Sequence, residues 1–322
     1  MGAEAIGLVA DIGGTNARFA LVSDRGVLGA ARAYADAGFG SLADASARFL
    51  ADEGGARPSR AVLAVAAPIS GDRVEMTNLP AWSFSTRELQ AALGLEDLRV
   101  VNDFAALAHA IPLLTGRDLR QIGAGASVAG APAAILGPGS GLGVSALVPG
   151  PGGAVAVSGE GGHATMAAAT PQEAAALAVL RARYAHVSAE RVLSGSGLVN
   201  LYEAHCALAG GVAKGLSPAD VARAGLEAKD ESAQAALNMF CAMLGGFAGD
   251  LALIFGARGG VYIGGGVVPK LGEFFARSEF RIAFERKGRF SEYLAAIPTF
   301  VILHETPALL GAARLLARDA PS

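Results

Sequence analysis

The chain has 322 residues, a formal net charge of −3 and a pI of about 6.0, and 52% of its residues are hydrophobic. This length exceeds that of most chains that fold around a single hydrophobic core, so two domains are predicted. The slightly acidic balance excludes the cationic surface that binds nucleic-acid phosphates or anionic lipid, and it favours small molecules as partners.

The first predicted element is a strand, turn and strand over residues 9–22, "VADIGGTNARFALV". Its turn holds Asp11, two glycines and Thr15, which is more polar material than a plain hairpin needs. Glycines let main-chain N–H groups converge on phosphate oxygens, so a phosphate-binding turn is the functional alternative to a tight hairpin. The Walker A pattern and the Rossmann fingerprint do not occur here, and the turn leads into a strand instead of a helix.

Two apolar runs, 61–68 and 98–112, are predicted as strands, and the second passes into a helix. Strands alternating with helices predict an α/β protein. Asn102 and Asp103 lie at the junction, in "VVNDFAAL". Either residue is suited to cap the helix, and this structural role alone would explain the pair.

Residues 121–159 contain no charged side chain and are rich in glycine and proline, which is also typical of a low-complexity linker. The β-type runs at 133–136, 144–148 and 154–157 favour buried strands instead. The turn "GPGSGLG" between the first two runs repeats the arrangement at the start of the chain.

Glu160 and His163 follow in the glycine-flanked loop "GEGGHATM". Such a pair suits the recognition of hydroxyl groups, although a histidine in a loop is more often a surface residue. Glu190 would by default be a solvated charge.

Helices are predicted to start at a capping box formed by Thr170 and Glu173, and again at Ser217. The segment 239–257 is long enough to span a membrane, but Asp250 at its centre costs about 2.5 to 3.5 kcal/mol on insertion scales. A helical pattern beginning at Asp230 instead predicts a buried core helix, so no membrane partner is expected.

The remaining predicted elements are a strand at 260–264 that runs into three glycines, a strand at 300–303, and a helix over 307–318. Cys206 and Cys241 form no CxxC motif, so neither a zinc site nor a disulfide framework is indicated. The N-terminus lacks a basic segment, which argues against a secretory signal. A cytoplasmic location is therefore expected.

Together these stretches resemble the bacterial glucokinases of the hexokinase-like, non-zinc type. The resemblance covers nearly the whole chain and rests, in order, on "VADIGGTNARFAL", "AAPISGDRVEMTN", "VNDFAALAHAIP", "GPGSGLGV", "GEGGH", "HVSAERVLSGSGLVNLY", "GGVYIGGGVVP", "FRIAFERKGRF" and "PALLGAA". It implies the actin-like ATPase fold of sugar kinases, with two α/β lobes that each contain a ribonuclease-H-like mixed sheet and with the active-site cleft between them. The expected lobes are residues 1–110 plus 305–322 and residues 111–304.

The resemblance also implies an activity, the phosphorylation of the 6-hydroxyl of D-glucose by ATP and Mg²⁺, which feeds glycolysis. The glucose-binding positions would be Asn102, Asp103, Glu160, His163 and Glu190, with Asp103 as the general base. The ATP-binding positions would be Asp11, which holds Mg²⁺ through water, Gly13, Gly14, Thr15, Asn16, Gly139, Ser140, Gly141, Gly264, Gly265 and Gly266. A homodimer that closes its cleft on glucose is expected.

Three alternative functions are weighed against this one. A repressor-related sugar kinase would carry a cysteine-rich zinc motif after its Glu-His segment, but no cysteine lies near His163. A sugar-sensing transcription regulator would need a helix-turn-helix before the first turn, which begins by residue 11. An actin-like or chaperone-like ATPase would leave "VNDF" and "EGGH" without a purpose.

Overall fold

The computed structural model describes residues 5–76 and 79–318, with the main chain alone at residues 5 and 6. Thr77 and Asn78, which belong to the quoted motif "AAPISGDRVEMTN", lie outside the described residues, as do residues 1–4 and 319–322 of the predicted small lobe. The chain forms two compact units, which consist of Met1–Thr115, Ala154–Ser158 and His304–Ser322, and of Gly116–Gly153 and Gly159–Leu303. The lobe boundaries given above stay a prediction.

The strands and helices are numbered in chain order. The strands are β1 Ala5–Ile12, β2 Asn16–Ser23, β3 Arg32–Ala35, β4 Arg60–Val65, β5 Arg73–Val74, β6 Phe84–Ser85, β7 Asp97–Asn102, β8 Leu119–Ile122, β9 Ala133–Pro138, β10 Leu142–Val148, β11 Val155–Gly159, β12 Val261–Ile263 and β13 Thr299–Ile302. The helices are α1 Leu42–Asp52, α2 Thr86–Ala92, α3 Asp103–Ala110, α4 Pro171–Arg181, α5 Gly195–Leu208, α6 Pro218–Leu226, α7 Glu231–Phe255, α8 Glu273–Arg277, α9 Phe280–Glu285, α10 Ser291–Ala295 and α11 Pro307–Arg318.

The first unit is built on a mixed five-stranded sheet in the order β3-β2-β1-β4-β7. β2 is antiparallel to β1, while β1, β4 and β7 are parallel, so their carboxyl ends meet at one edge. Leu8 and Ile12 pack in a core with Phe49 of α1, whereas Val9 packs on the opposite face with Leu309 of α11. Because both faces are covered, the strands have continuous apolar sequences, and the predicted α/β class is confirmed.

A second sheet has six strands in the order β11-β10-β9-β12-β13-β8, and five of them, β10, β9, β12, β13 and β8, belong to the second unit. β9 and β10 form an antiparallel hairpin, and β9, β12 and β13 run parallel. The linker alternative for residues 121–159 is therefore wrong, because this segment supplies three strands of the sheet. A hairpin beside parallel strands occurs in both units, as the repeated turn in the sequence predicts.

Helix α7 is the core helix of the second unit. Asp230 caps its first turn by accepting a hydrogen bond from Ala233 N at 3.1 Å, and Gly256 ends it in the left-handed conformation at φ 58°. Among the described residues, α7 alone is long and apolar enough to cross a membrane, and 61% of its apolar window is buried inside the protein. Its buried face packs with α5, α6 and α9, which agrees with the predicted core helix.

Candidate functional site

The turn between β1 and β2, residues 13–16, is called here the first glycine turn. It is closed by a hydrogen bond from Gly13 N to the carbonyl oxygen of Asn16 at 3.1 Å. Within the described part of the chain, the main-chain N–H groups of Gly14 and Thr15 donate to no protein acceptor. Thr15 and Asn16 are exposed. The turn therefore offers two N–H groups and a hydroxyl to an anion, beyond what a plain hairpin would need.

Asp11 lies on β1 beside this turn and is paired across the sheet with Arg18. Its Oδ2 is 3.6 Å from Nη1 of Arg18, and its side chain is 21% exposed. Burial raises the pKa of Asp11, and the Arg18 guanidinium partly offsets this. The described residues contain no cluster of three or more potential metal ligands. A single carboxylate suits Mg²⁺, which usually keeps several waters and takes its other ligands from substrate phosphates.

Asn102 and Asp103 lie at the carboxyl edge of the same sheet. Asn102 ends β7 and is aligned with Val65 of β4 and Ile12 of β1. Two strand spacings separate Asn102 from Ile12, which is about 10 Å. Asp11, the first glycine turn and the Asn102–Asp103 pair are therefore brought to one edge.

Asn102, and not Asp103, is the residue that caps α3. Oδ1 of Asn102 accepts hydrogen bonds from the N–H groups of Phe104 at 2.9 Å and Ala105 at 3.2 Å. Asp103 is instead the first helical residue, and its Oδ1 accepts from Phe104 N at 2.9 Å. The cap is thus Asn102, and the capping role does not explain Asp103.

Asp36 contacts the first glycine turn. Its main-chain N–H group donates to the carbonyl oxygen of Thr15 at 3.1 Å. The residue is 3% exposed, and neither carboxylate oxygen has a hydrogen-bond partner among the described residues. Burial raises the pKa of its carboxyl group. An aspartate in "YADAGFG" is typical of a turn, so the sequence carries no signal for this burial.

In the second unit, two glycine-rich turns lie together at the carboxyl ends of β9 and β12. The second glycine turn is residues 139–141, and within the described residues the N–H groups of Ser140 and Gly141 have no protein acceptor. The third glycine turn is residues 264–266. It adjoins β9 because Gly264 N donates to Leu136 O at 2.8 Å. Gly265 has φ 77°, and an added methyl group there would overlap the carbonyl oxygen of Pro138.

Glu160 precedes a single turn of 3-10 helix, Gly161–His163, at the end of β11, and His163 is the last residue of this turn. Oε2 of Glu160 is 4.0 Å from Nε2 of His163, and the two side chains are 56% and 62% exposed. Gly162 packs so closely against Leu142 that a methyl group would overlap its carbonyl oxygen. The loop is thereby fixed against β10 while its two polar side chains stay accessible.

Glu190 joins these segments, so the default interpretation as a solvated charge is wrong. The residue is half-buried, and its N–H group donates to the carbonyl oxygen of Gly162 at 2.8 Å. Its Oε2 accepts a hydrogen bond from Leu142 N at 2.8 Å. The second unit therefore brings together Glu160, His163, Glu190 and the second and third glycine turns.

The chain is similar to known proteins over nearly its whole length. A protein-family model described as glucokinase matches residues 8–319. The chain is 52% identical over 311 residues to a glucokinase of Aromatoleum aromaticum, covering 96% of this chain and 94% of the relative. It is 49% identical over 312 residues to a glucokinase of Nitrobacter hamburgensis, covering 97% of both chains.

Solved structures show the same likeness. The crystal structure of a glucokinase from an Antarctic psychrotroph is 40% identical with a TM-score of 0.88, covering 97% of this chain and 99% of that one. A ROK family glucokinase from Streptomyces griseus, solved with glucose and AMPPNP, shares the fold at 19% identity and a TM-score of 0.63, covering 96% and 98%. The predicted actin-like ATPase fold of sugar kinases is confirmed.

Proposed function

The chain belongs to the glucokinase family, and from this membership we propose that it transfers the γ-phosphoryl group of ATP to the 6-hydroxyl of D-glucose. The products are glucose 6-phosphate and ADP. The observation that carries the proposal is the position of Asp103. This carboxylate lies at the same sheet edge as the first glycine turn, while the neighbouring Asn102 already caps the helix.

Asp103 is the general base in this proposal. A sugar hydroxyl is a poor nucleophile until a carboxylate accepts its proton as the new bond to phosphorus forms. The 6-hydroxyl oxygen attacks the γ-phosphorus, the bond to the β–γ bridging oxygen breaks, and ADP leaves. The N-terminus of α3 carries a partial positive charge, which stabilises the negatively charged carboxylate of Asp103.

The hexose is bound by side chains that can accept and donate hydrogen bonds. We assign Asn102, Glu160, His163 and Glu190 to this role. Oδ1 of Asn102 is engaged in the helix cap, so its amide Nδ2 is the group that would reach a sugar oxygen. A site built on such bonds discriminates sharply, because a missing or displaced hydroxyl leaves polar groups unpaired.

The nucleotide is bound by the glycine turns. The N–H groups of Gly14 and Thr15 in the first turn, and of Ser140 and Gly141 in the second, are donors for phosphate oxygens. Asp11 would hold Mg²⁺ through water, and the bound cation would offset negative charge on the phosphates. Gly13, Asn16 and Gly139 complete the phosphate turns, and the third glycine turn is assigned to the adenosine.

An assay of ADP release across a hexose panel tests the proposal. We expect the highest kcat/KM for glucose among glucose, mannose, fructose, N-acetylglucosamine and N-acetylmannosamine. Faster turnover of fructose than of glucose at equal subsaturating concentrations would contradict the assignment. The same panel distinguishes a glucokinase from a kinase for amino sugars.

We also propose a cytoplasmic homodimer that uses no nucleic acid or membrane. The thiols of Cys206 and Cys241 are free and buried, which suits a reducing compartment. The net charge of −3 gives no electrostatic basis for binding polyanions. Light scattering on the purified protein is expected to give twice the chain mass of 32.2 kDa, and a monomeric mass would contradict the dimer.

A further inference from the structure

Glu190 makes a contact that hexose binding does not require. Its Oε2 accepts the hydrogen bond from Leu142 N at 2.8 Å, and Leu142 is the first residue of β10, directly after the second glycine turn. A hydrogen bond to a carboxylate is charge-assisted and stronger than one between neutral groups. The carboxylate therefore fixes the end of this turn.

The neighbouring strand does not take this donor. Leu142 is paired with Pro138 in the β9–β10 register, but the carbonyl oxygen of Pro138 accepts from Val267 N at 3.2 Å. Glu190 also lies directly against the turn, because a methyl group at Gly141 would overlap its Oε2. The Glu190 carboxylate therefore accepts the hydrogen bond of Leu142 N and fills the space beside Gly141.

The start of the turn is held by the same segment of chain. Gly195 N donates to the carbonyl oxygen of Gly139 at 2.9 Å. The hydroxyl of Ser194 donates to the carbonyl oxygen of Glu190 at 2.8 Å, which ties the two ends of the segment together. Residues 190–195 therefore hold the second glycine turn at both of its ends.

We propose that Glu190 is a positioning residue for the nucleotide in addition to a ligand for the hexose. Its carboxylate holds the second glycine turn in the shape that presents the N–H groups of Ser140 and Gly141 to the ATP phosphates. This inference rests on the proposed function, which assigns the phosphates to that turn. If Glu190 served the hexose alone, nucleotide affinity without sugar would not depend on it.

The test is calorimetric binding of AMPPNP with Mg²⁺ in the absence of sugar. Glu190→Ala is expected to weaken AMPPNP about tenfold or more, because a charge-assisted bond that shapes the turn is lost. Glu190→Gln is expected to stay within about threefold of the wild type, because its amide oxygen still accepts from Leu142 N. Glu160→Ala is the matched control. Glu160 belongs to the same proposed hexose site, so its loss should weaken glucose binding and leave AMPPNP affinity unchanged.

Glu190→Asp provides a milder variant in case the alanine variant folds poorly. It keeps the charge but is one methylene shorter, so it cannot reach Leu142 N and should weaken AMPPNP as the alanine variant does. Wild-type AMPPNP affinity in folded Glu190→Ala and Glu190→Asp would overturn this inference alone. A wild-type protein that binds no AMPPNP would overturn the proposed function together with it.

Discussion

Oδ1 of Asn102 accepts a hydrogen bond from the main-chain N–H group of Ala105 at 3.2 Å, which makes Asn102 the N-cap of α3. Asp103 follows it as the first residue of the helix. The two adjacent residues thus have separable structural roles, and substitutions at each are expected to affect different properties.

Asp103→Asn is expected to lower kcat by about 10² to 10⁴, the loss that is typical when a general base is removed. Glucose affinity should fall less, because an amide still hydrogen-bonds the 6-hydroxyl, and Tm should barely move because the cap at Asn102 is intact. The measurements are steady-state kinetics, glucose calorimetry and thermal unfolding. Asp44→Asn, in the first turn of α1, is the control with unchanged kcat. A variant of Asp103 that keeps more than about a tenth of wild-type kcat would exclude it as the base.

Asn102→Ala is expected to reduce the free energy of unfolding by about 0.5 to 2 kcal/mol, because the helix loses its cap. Asn102→Asp should keep this stability, since aspartate caps as well as asparagine. It should nevertheless weaken glucose binding, because the Nδ2 donor is gone. Urea unfolding and glucose calorimetry on both variants check this separation. Equal losses of stability in the two variants would show that the cap is not what Asn102 supplies.

Asp36→Asn is expected to stabilise the protein by about 1 kcal/mol at pH 7. Burial raises the pKa of Asp36 in the folded chain, so between the ordinary and the raised pKa the folded chain keeps a proton that the unfolded chain has released. The free energy of unfolding therefore falls as the pH rises from the ordinary carboxyl pKa to the raised pKa of Asp36. Above the raised pKa it falls no further. The gain from Asp36→Asn should shrink at pH 4. Urea unfolding at both pH values, with the exposed Asp24→Asn as control, measures it, and a loss of stability at pH 7 would contradict the expectation.

Activity is expected to require Mg²⁺ but no zinc. Asp11→Asn should raise the free Mg²⁺ needed for half-maximal activity by about 10- to 100-fold, the range typical when an indirect partner of a metal is removed. A magnesium titration at fixed ATP concentration measures this, with Arg18→Gln as a control for loss of the Asp11–Arg18 ion pair alone. Stoichiometric zinc in protein purified without added metal would contradict the expectation.

Features encoded by neighbouring residues were predictable from the sequence. Thr170 and Ser217 cap their helices as predicted, because a cap needs only the three or four residues that follow it. The capping box differs in one detail, since the Glu173 carboxylate accepts from Ala169 N at 2.6 Å and not from the cap residue itself. Helix α5 was not predicted, because Gly195 and Gly197 in its first turn usually indicate a loop.

Features that depend on distant residues were not predictable. Asparagine and aspartate cap equally well, so the sequence left open which residue caps α3. The bond between Glu190 and Leu142 joins residues 48 positions apart, and the burial of Asp36 follows from packing around the first glycine turn. The residues assigned to the site from family resemblance stay predictions about binding, although the structure assembles them into one group in each unit.

Helix α11 has a consequence for the order in which the chain folds during translation. It covers one face of the sheet in the first unit, where Leu309 and Leu316 pack against Val9 and Val62, and Arg60 donates to the carbonyl oxygen of Leu316 at 2.9 Å. A ribosome adds residues from the N-terminus, so the strands of this sheet are made before the second unit and α11 is made after it. Until α11 emerges from the exit tunnel, Val9 and Val62 lack Leu309 and Leu316, which pack against them in the folded chain. The second unit, made in between, is therefore expected to complete its core before the first.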